Sequence, residues 1–153
     1  MRNKLRGALL VVCLGGSSLA WSQPLPPPPP ILNPAALQAE LRARSGSDTV
    51  YFSAQGYGLD ASAIRVLTAQ AAWLRANPAI MVRLDGHADQ NDTRDYAFGI
   101  AERRAAGVRD LLVTLGVAPV RLSIASWGKE RPGTMRIGIS TVGIGPRVVT
   151  TVR

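Results

Sequence analysis

Between residues 94 and 115 the apolar positions recur at steps of three and four: Ala97, Ile100, Ala101, Ala105, Val108, Leu111, Leu112 and Leu115. That spacing predicts a long amphipathic helix with one buried stripe. Asp92 or Thr93 is placed to cap its start, Asp95 puts negative charge in its first turn, and Gly116 suits its end. Arg104 falls on the stripe, whereas its neighbour Arg103 falls off it, towards water. An inward-facing guanidinium needs an anionic partner, because an unpaired buried charge is costly. Asp85 and Asp89, just upstream, are the nearest candidates in sequence.

The same patterning places the other elements. Residues 49–53 (TVYFS) alternate and are β-branched or aromatic, which predicts a strand, and 55–58 supplies a turn. Asp60 precedes a helix carrying Ile64, Leu67, Ala71 and Leu74 that stops at Asn77-Pro78. Residues 80–87 read as a second strand, 122–127 as a third and 148–152 as a fourth. Strand, helix, strand, helix, strand, strand gives an α+β sandwich, with both helices burying their stripes on one sheet. Upstream, AALQAELRAR after Asn33-Pro34 is helix-prone and ends at Ser45-Gly46, either packed on the domain edge or free.

Composition adds an export signal and a spacer. Residues 1–22 have a basic start, an apolar middle and small residues before two candidate cleavage points, the parts of a cleaved secretory signal. The 18 basic and 10 acidic residues give +8; without Arg2, Lys4 and Arg6 the balance is 15 against 10, or +5. Such a charge suits an anionic polymer, but the basic residues are scattered without interleaved aromatics, which argues against nucleic acid. Residues 24–30 are nearly all proline and predict an extended spacer. The expected organisation is a signal at 1–22, a proline-rich linker with a short helix at 23–47, and a domain at 48–153.

The run GHADQNDTRDYAFGIAERRAAGVRDLL, then LG and RLSIASWGKERP, resembles the OmpA C-terminal-like family, most of all its peptidoglycan-associated lipoprotein branch. The resemblance covers roughly 49–132. It implies a βαβαββ sandwich and a non-catalytic periplasmic module that binds peptidoglycan and tethers the envelope to the wall. It also implies that Asp89 and Arg104 bind the diaminopimelate of the stem peptide. A supporting pocket of Phe52, Ser53, His87, Ala88 and Thr93 would surround them. Members of the family also engage Tol-type envelope proteins, so a protein-interaction domain is the alternative. Relatives are usually lipidated on a cysteine at the signal junction. The only cysteine, Cys13, follows Val12 where a lipid-attachment motif wants a small residue. A soluble periplasmic chain is therefore expected, an outer-membrane anchor through Cys13 being the other route.

Two departures from the family stand out. The opening strand and loop read VYFSAQGYGL at 50–59, where relatives read close to VYFDFDSYEL, so Ser53, Ala54 and Gln55 replace two acids and an aromatic. After GKERP comes GTMRIGISTVGIGP, with no acids, before Arg147-Val148-Val149-Thr150 resumes the expected strand. Kept length with wholly altered composition at 133–146 matches a compensated reading-frame shift or a divergent loop.

The chemistry on offer is recognition. An arginine grips a carboxylate through parallel hydrogen bonds and an aspartate takes an ammonium, which suits a zwitterionic amino-acid end. The bland reading of the same pair is a structural salt bridge. His87 is the lone histidine and lacks partners for a metal, so it is expected as a packed strand-end residue, with no metal or cofactor. Ser53, Ser123 and Ser126 have no base nearby, which leaves a triad unsupported. Asp85, Asp89, Asp92 and Asp95 lack the aromatic platform of a glycosidase, and no enzyme is expected.

Overall fold

The computed structural model describes residues 33–131, 133–137 and 140–153. The expected signal 1–22, Cys13 and the proline run 24–30 lie outside the described residues. Three α-helices and six strands follow in the order α1 (Pro34–Ser45), β1 (Thr49–Tyr51), α2 (Ala61–Ala76), β2 (Val82–His87), α3 (Arg94–Thr114), β3 (Leu122–Ser126), β4 (Gly133–Ile137), β5 (Ser140–Ile144) and β6 (Arg147–Val152). Four strands form one mixed sheet in the order β1-β6-β2-β3. The β2 and β3 strands are parallel with α3 as their crossover, and β6 runs antiparallel to both β1 and β2.

The cap residues behave as their chemistry dictates. The Asp60 side chain accepts from the Ala63 N–H at 2.7 Å and starts α2. Thr93 opens α3, but its side chain makes no capping bond, and Asp92 does not cap either. At the other end Gly116 sits at φ 92°, and the N–H groups of Gly116 and Val117 bond the Val113 and Leu112 carbonyls. This is a left-handed helix stop that a residue with a Cβ adopts only under strain.

Alternation on β2 and β6 separates two faces. Val82, Leu84, Val148 and Val152 are buried with Leu67, Leu74, Val108 and Leu112 of α2 and α3 in one core. Ile64, expected on the inner stripe of α2, is 43% exposed; Gln70 is buried in that helix instead. Its side chain donates to the Ser47 carbonyl (2.9 Å) and accepts from the Thr150 hydroxyl (2.8 Å), so the buried amide is satisfied.

The short helix of the linker segment is part of this unit. Leu41 is fully buried in the core, a contribution of about 1.5–3 kcal/mol for a leucine. Because β1 begins at Thr49, opposite Val149, and runs antiparallel back to Arg147, the last stretch of β6 lacks a strand beside it. Gln38 of α1 fills that edge, accepting from the Val152 N–H and donating to the Thr150 carbonyl. Within the atypical 133–146 segment, β4 and β5 pair antiparallel as a two-stranded sheet apart from the main one. Arg147 then starts β6 in register with His87.

On the other face Asp85 is buried among donors. Arg83 Nε and Nη2, Trp127 Nε1 and the Thr151 hydroxyl all donate to its carboxylate, at 2.6–3.1 Å. Burial alone would raise its pKa; the bonds from Arg83, Trp127 and Thr151 outweigh it and hold the carboxyl below the ordinary 3.8. A depressed folded pKa gives stability that is present above the unfolded value and lost as pH falls through the folded one. Acidification below about pH 4 should therefore destabilise the domain. Asp85→Asn, already weaker at neutral pH, should lose less over that range; denaturant unfolding at pH 7 and pH 3 measures both. Equal acid sensitivity of the two proteins would contradict it.

Gly86 marks the tightest approach of helix to strand. A Cβ there would lie 2.3 Å from the Ala101 carbonyl oxygen, a backbone atom of α3 that cannot swing aside. Gly86→Ala should cost about 1–3 kcal/mol or more through overpacking. Gly107→Ala, in the same helix with nothing within 4 Å of the added carbon, should instead stabilise by about 0.5–1 kcal/mol. Opposite shifts in denaturation midpoint are expected, and a neutral Gly86→Ala would refute the close approach.

Candidate functional site

Arg104 enters from the middle of α3 beneath the loop that leaves β1. Its side chain is fully buried, as its place on the apolar stripe requires. Its partners are not the expected acids. Nε donates to the Gly56 carbonyl (2.8 Å), while Nη2 donates to the carbonyls of Ser53 (3.0 Å) and Ala54 (2.9 Å). The Phe52 ring centroid lies 5.5 Å from the guanidinium carbon, a cation–π distance. Three carbonyl dipoles and a ring face thus replace the salt bridge foreseen with Asp85 or Asp89. Asp85 is committed to Arg83 on the other face of the sheet.

This arrangement explains how the loop tolerates Ser53, Ala54 and Gln55. Arg104 reads the backbone, and any side chain leaves the carbonyls in place. The loop closes on itself through the Gly56 N–H to the Ser53 carbonyl (3.2 Å), while the Phe52 N–H bonds the Pro146 carbonyl (3.0 Å). Burial lowers the Arg104 pKa, and Asp92, then Tyr96, then Asp89 oppose that shift. An arginine starts so high that the group stays charged.

The acidic loop after β2 is held separately. Asp89 is half-buried, and its Oδ1 accepts from the Asn91 N–H and side-chain amide, both at 3.2 Å, which shapes an Asx turn. The Ala88 N–H bonds the Gly128 carbonyl at 2.8 Å. Gln90 donates to the Lys129 carbonyl (3.0 Å), and Lys129 Nζ donates to the Asp92 carbonyl (2.7 Å). The turn after β3 therefore pins the loop, which gives the WGKE stretch a physical role. Ala88 packs with Ala97, Ile100 and Ala101, seating the loop on α3.

The other expected pocket residues divide. Phe52 and Ser53 touch Arg104, one by its ring and one by its carbonyl. Thr93 is exposed at the start of α3. His87 is buried, and its Nδ1 lies 3.1 Å from the Arg131 carbonyl. Burial, with help from Arg147, lowers its pKa, so the ring is neutral at pH 7.

Sequence reasoning missed two features. Asp92 is not a helix cap: its Oδ2 is buried without a hydrogen-bond partner, as is Arg104 Nη1. The signal available was only that Thr93 could cap instead. Arg103, though exposed, lines an open cavity of about 280 Å³ with Gln55, Tyr57, Tyr96, Gly99 and Ile100, between the β1 loop and α3. Among the described residues, no group of three or more His, Cys, Asp or Glu could hold a metal ion, and no helix is long and apolar enough to cross a membrane.

Comparison with known proteins gives the family and the fold. The chain is 39% identical over 104 residues to the peptidoglycan-associated lipoprotein of Mesorhizobium japonicum, covering 68% of this chain and 62% of that protein. It is 36% identical to the peptidoglycan-associated lipoprotein of Agrobacterium fabrum, covering 67% and 58%. The chain thus spans about three fifths of the length of these relatives. In fold it resembles the crystal structure of the peptidoglycan-associated lipoprotein from Burkholderia pseudomallei, with TM-score 0.64, 24% identity, and coverage of 71% of this chain and 92% of that one. The C-terminal domain of Helicobacter pylori MotB matches with TM-score 0.58 at 18% identity, covering 67% and 81%. Residues 51–137, more than half of the chain, match the OmpA family itself, and the chain belongs to that family.

Proposed function

We propose that this domain is a non-catalytic module of the cell envelope that binds the diaminopimelate-containing stem peptide of peptidoglycan and tethers the envelope to the wall. One observation carries the reading: Arg104 is fully buried and bonded on two of its nitrogens, yet Nη1 has no partner. A donor held in that way is suited to a carboxylate brought by a ligand. Asp89, on the neighbouring loop, offers the opposite charge for an ammonium. The names of the relatives support the same reading. Export to the periplasm through residues 1–22 belongs to it, as does the non-enzymatic role.

The test is binding of purified protein to isolated sacculi containing diaminopimelate, beside walls carrying lysine, which lacks the second carboxylate. Charge-assisted hydrogen bonds are worth ~1.5–3 kcal/mol each. Asp89→Ala and Arg104→Lys should therefore weaken binding by roughly ten- to a hundredfold. Arg65→Ala, exposed on α2, should leave it unchanged. Arg104→Lys keeps the charge but loses the fork that holds three carbonyls, so thermal melts must accompany it. Unaltered binding by folded variants would reduce the pair to a structural role. Equal binding to both walls would refute diaminopimelate recognition, and binding to neither would favour a Tol-type protein partner.

A further inference from the structure

Two of the buried polar atoms without partners among the described residues are of opposite kind. Arg104 Nη1 is a donor and Asp92 Oδ2 an acceptor, and the two side chains do not form an ion pair with each other. Leaving either unsatisfied is expensive, so each calls for a partner, whether water, ion or ligand. Both residues are anchored. The Gly56, Ser53 and Ala54 carbonyls fix the guanidinium. The backbone of Asp92 is fixed by Lys129 on its carbonyl and by the start of α3 two residues on. Its carboxylate has no capping role to explain it, since Thr93 occupies that position. Asp89, in contrast, spends one oxygen on the Asn91 turn. After burial, which lowers the Arg104 pKa, Asp92 is the foremost group acting on that arginine, ahead of Asp89.

We infer that Asp92 is a second ligand-contacting acid, its Oδ2 accepting from the ammonium of a zwitterionic amino-acid end whose carboxylate takes Arg104 Nη1. An ammonium has three N–H donors, so Asp92 and Asp89 can share it. The inference rests on the stem-peptide reading and adds the residue that distinguishes a charged amine from its absence.

The probes are the soluble tripeptide L-Ala-γ-D-Glu-meso-diaminopimelate and its analogue with 2-aminopimelate, which keeps the far carboxylate and lacks the far ammonium. Calorimetric titration of the full chain is expected to show wild type preferring the first. Asp92→Asn, nearly isosteric, should lose about tenfold or more for the first peptide, on the scale of one charge-assisted bond. It should bind the analogue as wild type does, with an unchanged melting temperature. If Asp92→Asn binds both peptides as wild type does, or weakens both equally, the inference fails while the stem-peptide reading stands. If wild type binds neither peptide, that reading falls and the inference with it.

Discussion

The structure depends on one buried cation and the way it is neutralised. A guanidinium in the core of a small domain is tolerable only if its charge and its donors are met. Here the fold meets them with backbone carbonyls of the 53–56 loop and the face of Phe52. The consequence runs both ways. The loop is tied down by a residue on α3, and the arginine is oriented so that one nitrogen is left over. A direct salt bridge to Asp89 would have used up both charges; carbonyl ligation leaves Asp89 bonded only to Asn91 and Asp92 Oδ2 without a partner.

That economy needs the helix, strand and loops to lie close together. Gly86 lets the backbone of α3 meet β2 directly, and Ala88, Ala97 and Ala101 continue the contact with small side chains. The 127–130 turn then stitches the acidic loop from the far side. Polar groups elsewhere are satisfied by the same kind of cross-element bond. Gln38 completes the edge of β6, Gln70 bridges to Thr150 and Ser47, and four donors surround Asp85. The result is a rigid frame around a site whose open valences are few.

Much of this was legible in the sequence because it follows from periodicity. The α3 stripe, the four main strands and the inward placement of Arg104 are readable from spacing, and the GHAD and ERR runs carry the family. The identity of the partners of Arg104 was not legible, because carbonyls have no side-chain signature. The same holds for Ser53, Ala54 and Gln55, which look like losses until the contact is seen to be with the backbone. Of the two cap candidates, Asp92 and Thr93, Thr93 takes the position, although a carboxylate before a helix is usually the cap. Ile64 was misassigned since an apolar residue at the margin of the α2 stripe faces water while Gln70 turns inwards. The 133–146 segment, with no acids and unlike its relatives, gave no period to follow, yet β4 and β5 pair within it.

In the proposed complex a single guanidinium holds the loop with one side and the ligand with the other. Side-chain ¹⁵N NMR of arginine-labelled protein addresses it directly, because Nε and Nη report separately. On addition of the diaminopimelate tripeptide, the Arg104 Nη signals should shift while Nε–H, bonded to the Gly56 carbonyl, stays in place and protected from exchange. Binding with the Nη signals unmoved, or with Nε–H released to solvent, would contradict the account.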